Sequence, residues 1–241
     1  MRQVSNLGDP ALPALRDELR VYLSAVSRGA TMLRRRVEQT VRSWVEILVT
    51  RVPVLHSVSP NTLTCMTLAL TIGVVVLIVQ GSLQWAGALF LVASAFDMLD
   101  GAVARARRAA TPFGAFLDST VDRYSELLVF LGLLIYYQRA SSESFLTTVL
   151  LFLAATGAIL TSYVRARAEA LGFSGRGGML ERPERVLILG VSLISGWTIV
   201  GLWILAIFSH LSALQRSVRV WMRSRSGAER LPSIQWHTRE Q

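Results

Sequence analysis

Long apolar runs alternate with short polar, arginine-rich segments along most of this chain. The first run, Thr62 to Gln80, has no charged residue. At about 1.5 Å per residue, a helix of this length approaches the roughly 30 Å hydrocarbon thickness of a bilayer. The pattern predicts an all-α integral membrane protein with six transmembrane helices. The five further runs are Trp85 to about Ala104, about Gly114 to Tyr137, about Ser144 to Arg165, about Pro183 to Ser195, and Trp197 to about Leu214.

A different pattern precedes the first run. Between residues 31 and 56, apolar side chains such as Val41, Val45 and Leu48 recur at helical spacing, and many of the other positions are arginine. This pattern predicts an amphipathic helix lying on an anionic membrane surface, although a helix packed on protein would look the same. We therefore divide the chain into an N-terminal extension (1–30), an interfacial helix (31–56), a six-helix membrane domain (57–222) and a basic cytoplasmic tail (223–241).

The distribution of charge predicts an orientation in the membrane. The chain is 52% hydrophobic with a formal net charge of +9, and all 25 of its basic residues are arginine. Arginines are dense before the first run, between the second and third, between the fourth and fifth, and in the tail. The other connections carry no charge or only Arg139 and Glu143. By the positive-inside rule, this predicts a multi-pass protein of the cell membrane with both termini cytoplasmic, and no nucleic-acid partner is expected.

Four carboxylates interrupt the second and third apolar runs near their predicted cytoplasmic ends. Asp97 and Asp100 are three residues apart, and Asp118 and Asp122 are four apart, so each pair shares a helix face. Four like charges on facing helices repel one another unless cations lie between them. A set of hard oxygen ligands favours Mg²⁺, Mn²⁺ or Ca²⁺. Ion pairing with neighbouring arginines is the alternative, but it does not easily neutralise all four.

The spacing of these residues resembles a known family signature. Eight identities at fixed spacing match the CDP-alcohol phosphotransferase family: Asp97-x2-Asp100-Gly101-x2-Ala104-Arg105-x8-Gly114-x3-Asp118-x3-Asp122. The resemblance implies a homodimeric membrane enzyme that exchanges the CMP of a CDP-linked lipid for an alcohol. It also implies two Mg²⁺ ions, with Mn²⁺ as the alternative, held by the four aspartates, and Asp122 as the general base.

The resemblance further implies a site for the CDP-linked lipid. Gly101, Ala104 and Arg105 would line it, with Arg105 toward phosphate, and Asn61 and Thr64 would lie near the nucleotide. Small residues also allow close packing between membrane helices, and Pro-Asn is a common helix start by itself. Both interpretations stay open at this point.

The acceptor is indicated by arginines after the fourth run. They resemble the family's subgroup that uses inositol 1-phosphate and a CDP-linked diacyl or diether lipid, in which a basic cluster holds the acceptor's phosphate. A phosphorylated acceptor would explain why several arginines converge, because arginine forms strong bidentate hydrogen bonds with phosphate. Any single one could instead be a membrane anchor on the cytoplasmic side. The residues at matching places are Arg165, Arg182, Arg185 and Arg216.

Three alternatives compete with transfer to inositol 1-phosphate. Synthesis of phosphatidylglycerol phosphate would use glycerol 3-phosphate, which also carries a phosphate. A cation channel or transporter could be lined by the four aspartates. The far half of the third run, Leu127 to Tyr137, has no charged residue that could continue such a pathway for ions. A catalytically silent relative is the third alternative, and the complete aspartate set argues against it.

Overall fold

The computed structural model describes residues 59–106, 111–139, 145–175 and 177–225, without the side chains of Pro60 and residues 98–106. The predicted extension, the interfacial helix and nearly all of the tail lie outside these ranges. The described residues form six α-helices and no strand. The helices are α1 (Pro60–Val79), α2 (Leu83–Ala106), α3 (Pro112–Arg139), α4 (Phe145–Ala170), α5 (Arg182–Ser195) and α6 (Thr198–Arg225).

Local sequence signals set the ends of two of these helices. The Ser59 hydroxyl accepts a hydrogen bond from the Thr62 backbone N–H at 3.1 Å, which caps the first turn of α1. At the start of α5, the side chains of Glu181 and Glu184 each accept a backbone N–H in a reciprocal capping box. Gly196 ends α5 with φ of +78°, a conformation that favours glycine.

All six apolar runs are helical, but α4 and α6 continue beyond the predicted spans. The sequence predicts ends near Arg165 and Leu214, whereas the helices end at Ala170 and Arg225. Hydropathy marks only the apolar part of a helix, and helical hydrogen bonding continues into the polar region beyond it. The extension of α6 carries arginines that donate hydrogen bonds to backbone carbonyls of the connection between α4 and α5.

The helices pack in a closed ring. Following the main contacts, the order around the ring is α1, α3, α4, α6, α5, α2 and back to α1. The interior has an apolar half that includes Ile78, Leu133, Leu193 and Leu202, all fully buried. The other half of the interior contains the buried charged side chains of the described residues. In this ring order α3 and α5 stand opposite each other.

The surface of the helices is suited to lipid. Three helices, α1, α4 and α6, are long and apolar enough to cross a membrane. Large apolar side chains are exposed around the bundle, including Phe145 at 86% and Trp85 at 73%. An exposed apolar surface of this extent indicates contact with a membrane or a partner. The fold is therefore that of an all-α membrane protein.

Candidate active site

Three of the predicted aspartates converge in the charged half of the ring. Asp97 of α2 and Asp118 and Asp122 of α3 each offer a carboxylate oxygen, and these oxygens lie within 4.8 Å of one another. Asp97 is 7% exposed and Asp122 is 8% exposed. The helices α2 and α3 both pack on α1, which brings their acidic ends together. Asp100 lies on the next turn of α2, although its side chain is not described.

Arg182, the first residue of α5, bridges two of these carboxylates. Its Nη1 donates a hydrogen bond to Asp97 Oδ2, and its Nη2 lies 2.7 Å from Asp122 Oδ1. On the other side, Arg123 Nη1 lies 3.4 Å from Asp122 Oδ2. A guanidinium presents its donors in a rigid fork, so it can hold two carboxylates at a fixed separation.

The donor set fits a divalent cation. Asp97 Oδ1 is buried and has no hydrogen-bond partner among the described side chains. Leaving a buried carboxylate oxygen without a partner is costly, and a bound cation would remove that cost. Carboxylate oxygens are also the ligands that Mg²⁺ and Mn²⁺ prefer. The residues of the cluster therefore fit a divalent metal ion, which Asp97 Oδ1 could contact without giving up the hydrogen bond that Asp97 Oδ2 accepts from Arg182.

Arg185 lies one turn further along α5 in a buried ion pair. Its Nε donates to Glu126 Oε1 at 2.7 Å and its Nη2 donates to Glu126 Oε2 at 3.0 Å. Arg185 is only 3% exposed. The sequence predicted contact with the acceptor's phosphate, but the structure directs this guanidinium toward α3. Sequence reasoning assigned no partner to Glu126, because 59 residues separate the two side chains.

Arg216 and Arg165 lie near the connection between α4 and α5. Arg216 is 3% exposed; it donates from Nη1 to the Thr161 carbonyl at 2.6 Å and from Nε to the Gly177 carbonyl at 3.2 Å. Arg165 is partly exposed, and its Nε donates to Glu169 at 3.1 Å. A Cβ added to Gly175 of this connection would lie 2.9 Å from Arg165 Cγ, and one added to Gly178 would lie 3.2 Å from Arg216 Nε. Arg165 and Arg216 therefore both lie against this connection, while Arg182 joins the aspartates.

The residues predicted to bind the CDP-linked lipid lie around the helix ends next to this cluster. Asn61 is in the first turn of α1, and its Oδ1 would lie 3.4 Å from a Cβ added to Gly114 at the start of α3. Thr64 is buried in the next turn of α1. Gly101, Ala104 and Arg105 continue the helix that carries Asp97, and their side chains are not described.

A small polar cavity lies directly behind Asp122. Its volume is about 10 Å³, close to the space that one water molecule needs. Ser125 Oγ is buried there and has no hydrogen-bond partner among the described residues. Thr67 and Thr71, spaced four apart on α1, also line the cavity. That spacing in an apolar run is a signal that sequence reasoning could have used and did not.

Comparison with known proteins agrees with this site. The family model for CDP-alcohol phosphatidyltransferase matches residues 57–214. Phosphatidylinositol phosphate synthase of Corynebacterium glutamicum is 39% identical over 170 residues, which cover 67% of this chain and 77% of that protein. Archaetidylinositol phosphate synthase of Methanothermobacter thermautotrophicus is 38% identical over 144 residues, covering 57% and 70% respectively.

Solved structures of one relative are also similar. Mycobacterium tuberculosis phosphatidylinositol phosphate synthase with CDP-DAG bound matches at a TM-score of 0.65 and 31% identity, covering 75% of this chain and 93% of that one. The same enzyme with manganese and citrate matches at a TM-score of 0.64 and 33% identity, covering 75% and 88%. Given the family match and the assembled aspartate cluster, this chain belongs to the CDP-alcohol phosphatidyltransferase family and is a transferase of phospholipid biosynthesis.

Proposed function

We propose that this enzyme transfers a phosphatidyl-type group from a CDP-linked lipid to inositol 1-phosphate and releases CMP. The observation that carries the proposal is the meeting of three aspartates with Arg182, together with Arg165 and Arg216 at the adjoining α4–α5 connection. The names of the similar proteins from Corynebacterium and Mycobacterium support the same acceptor class and a diacyl donor. The archaeal relative supports a diether analogue as the alternative donor.

The aspartates are proposed to hold the metal. Asp97, Asp118 and Asp122 would bind it, and Asp100 would join them from the next turn of α2. We propose two Mg²⁺ ions, with Mn²⁺ as a substitute, and the manganese complex of the Mycobacterium enzyme supports divalent-metal use. When bound, the ions would neutralise the donor's pyrophosphate and the leaving CMP.

Asp122 is proposed as the general base. It would accept the proton of the attacking hydroxyl of the acceptor as the new oxygen–phosphorus bond forms. The bond between that phosphorus and the bridging oxygen of the pyrophosphate would break, and CMP would leave with the bridging oxygen. Asn61, Thr64, Gly101, Ala104 and Arg105 are proposed to hold the nucleotide end of the donor.

The acceptor's phosphate is proposed to bind on the arginine side of the site. Arg165 and Arg182 retain partial exposure, at 40% and 28% of their side chains, and are the direct ligands in this proposal. Arg216 would add charge from behind, because its donors already hold the backbone of the α4–α5 connection. Arg185 is not a direct ligand in this proposal, because its guanidinium donates to Glu126.

We also propose that all six helices are transmembrane, that both termini and the active site are cytoplasmic, and that the enzyme is a homodimer. The alternation of arginine-rich and uncharged connections supports the orientation. The family resemblance supports the dimer. A measured mass of the detergent-solubilised protein near twice 26.6 kDa, after subtraction of detergent, would be the expected result.

The test of the reaction is CMP release by the purified protein with Mg²⁺ and CDP-diacylglycerol. Inositol 1-phosphate, glycerol 3-phosphate and free inositol are compared as acceptors, with Asp122→Asn alongside. Release with inositol 1-phosphate alone, lost in the variant, is the expected result. Release with glycerol 3-phosphate instead would retain the aspartate chemistry and overturn the acceptor. No release with any acceptor, also with a CDP-linked diether lipid, would overturn the proposal.

A further inference from the structure

The Glu126–Arg185 pair stands out because it is the most buried ion pair among the described residues. Both carboxylate oxygens of Glu126 accept a hydrogen bond from the Arg185 fork, at 2.7 and 3.0 Å. Removing two charges from water is costly, and only near-ideal geometry compensates for it. A pair of well-packed apolar side chains would stabilise the fold as well or better. Stability alone therefore does not account for a buried ion pair at this position.

The pair repeats the geometry of the active site one turn deeper. Glu126 follows Asp122 by four residues on α3, and Arg185 follows Arg182 by three on α5. Both spacings place the two members on the same face of their helix. Arg182 Nη2 lies 2.7 Å from Asp122 Oδ1, and Arg185 Nε lies 2.7 Å from Glu126 Oε1. Two arginine–carboxylate contacts therefore stack between the same two helices. Two stacked contacts resist both rotation and sliding of α5 against α3.

Direct helix packing does not set the distance between α3 and α5. The main packing partners of α3 are α1 and α4, whereas those of α5 are α2 and α6. The two arginines therefore reach across the interior of the ring. The cavity of about 10 Å³ beside Glu126, Arg182 and Val186 also shows that apolar side chains do not fill this gap completely.

We propose that Glu126 and Arg185 are positioning residues for the metal site. Their ion pair holds α5 at the depth and rotation at which Arg182 meets Asp97 and Asp122, and so keeps those carboxylates preorganised for a divalent ion. The pair touches neither metal nor substrate in this role. The inference rests on the proposed metal site, and it gives Arg185 a function other than binding the acceptor's phosphate.

The test measures Mn²⁺ binding by the purified full-length protein without nucleotide or acceptor, from the decrease in the electron paramagnetic resonance signal of free Mn²⁺. Glu126→Gln and Arg185→Lys each remove the forked pairing. We expect each to weaken Mn²⁺ binding about tenfold, the range found when side chains supporting metal ligands are changed. The double variant should bind no more weakly than the worse single variant, because the two residues act as one unit. Arg139→Lys, at the far end of α3, is the matched control and should bind like the wild type.

Two results would overturn the inference. If Arg185 instead bound the acceptor, Arg185→Lys would raise the KM for inositol 1-phosphate while Mn²⁺ binding stayed unchanged and Glu126→Gln had no effect. If the pair were only structural, both variants would lower Tm, yet the folded protein would bind Mn²⁺ like the wild type.

A third variant keeps the test decisive if the single variants fail to fold. Glu126→Met combined with Arg185→Met removes both charges and leaves neither one unpaired. We expect a folded protein with weakened Mn²⁺ binding, and wild-type binding would overturn the inference. The same measurement distinguishes this failure from failure of the proposed function. A wild-type protein that binds no Mn²⁺ would contradict the metal site itself. Equal Mn²⁺ binding by the wild type and all variants would contradict only the positioning role.

Discussion

The carboxylate of Asp122 contacts two arginines and also belongs to the aspartate cluster. Its Oδ1 lies 2.7 Å from Arg182 and its Oδ2 lies 3.4 Å from Arg123, while it contributes to the cluster of oxygens within 4.8 Å. These contacts fix the carboxylate in place before any substrate arrives. Preorganisation of this kind reduces the rearrangement needed during reaction.

We predict that Asp122→Asn lowers the rate of CMP release at least 100-fold, within the usual range for loss of a general base. Asparagine has nearly the same shape, and its oxygen can still accept from Arg182, so the protein should stay folded. The measurement is CMP release at saturating donor and acceptor, with Arg139→Gln as the control on the same helix. A variant retaining more than about a tenth of the wild-type rate would contradict the base role.

A second prediction at this scale concerns Asp97, whose Oδ1 is buried without a partner among the described side chains. Adding Mn²⁺ to metal-free wild-type protein should raise Tm, because a ligand that binds only the folded state stabilises it by about 2.7 kcal/mol at 100 times its Kd. Asp97→Asn should reduce this increase in Tm. An equal increase in both proteins would exclude Asp97 as a ligand.

The aspartates could be predicted from sequence and their partners could not. Spacing of three and four residues on a helix is local information, so it showed which carboxylates share a face. The contact of Arg182 with Asp97 joins residues 85 apart in the chain. Arginines at these positions fit a membrane anchor, a phosphate ligand or an ion pair equally well until the helices are placed.

At the scale of elements, the crossing of α2 and α5 is unusually close. A Cβ added to Gly87 would lie 2.7 Å from the Gly190 carbonyl oxygen, and one added to Gly190 would lie 2.5 Å from Leu91. Small residues let membrane helices approach to backbone contact, where dispersion forces are strongest. This contact positions α5, and with it Arg182 and Arg185.

We predict that Gly87→Val destabilises the fold by about 1–3 kcal/mol through overpacking, and weakens Mn²⁺ binding because α5 moves. Gly73→Ala on α1 is the control for adding a side chain to a helical glycine, since its Cβ would meet Leu89 at an ordinary 3.5 Å. Thermal unfolding and Mn²⁺ titration would be measured on both. Unchanged Mn²⁺ binding by a destabilised Gly87→Val protein would separate the helix crossing from the metal site.

For the whole molecule, the ring places charge in one half of its interior and apolar side chains in the other. Leu133, Leu193 and Leu202 are fully buried in the apolar half. Among the described residues, no charged side chain is buried in that half. A continuous path for cations across the bundle is therefore not built into the described helices, which favours a site opening to one face over a channel.

The proposed orientation predicts a pattern of labelling. Cys65 is the single cysteine, so Cys65→Ser provides a background for Ser82→Cys, between α1 and α2, and for Ser226→Cys, after α6. In right-side-out vesicles, a membrane-impermeant maleimide should label position 82 and leave position 226 unlabelled. Inverted vesicles should give the opposite result. Labelling of both positions from the same side would contradict the proposed topology.

The sequence by itself determined the features that depend on neighbouring residues. The lengths of the apolar runs predicted the helices, the spacing of the aspartates predicted the acidic cluster, and the fixed motif from Asp97 to Asp122 indicated the family. Each of these follows from helix geometry or composition over a few turns.

Only the tertiary structure decided which helices meet and which charges pair. It placed Arg182 on the aspartates and directed Arg185 to Glu126 across the ring. The physical reason is that an arginine's role depends on the charge it faces after folding, and that charge lies on a helix distant in sequence. The ring that brings α3 and α5 face to face is a property of all six helices together.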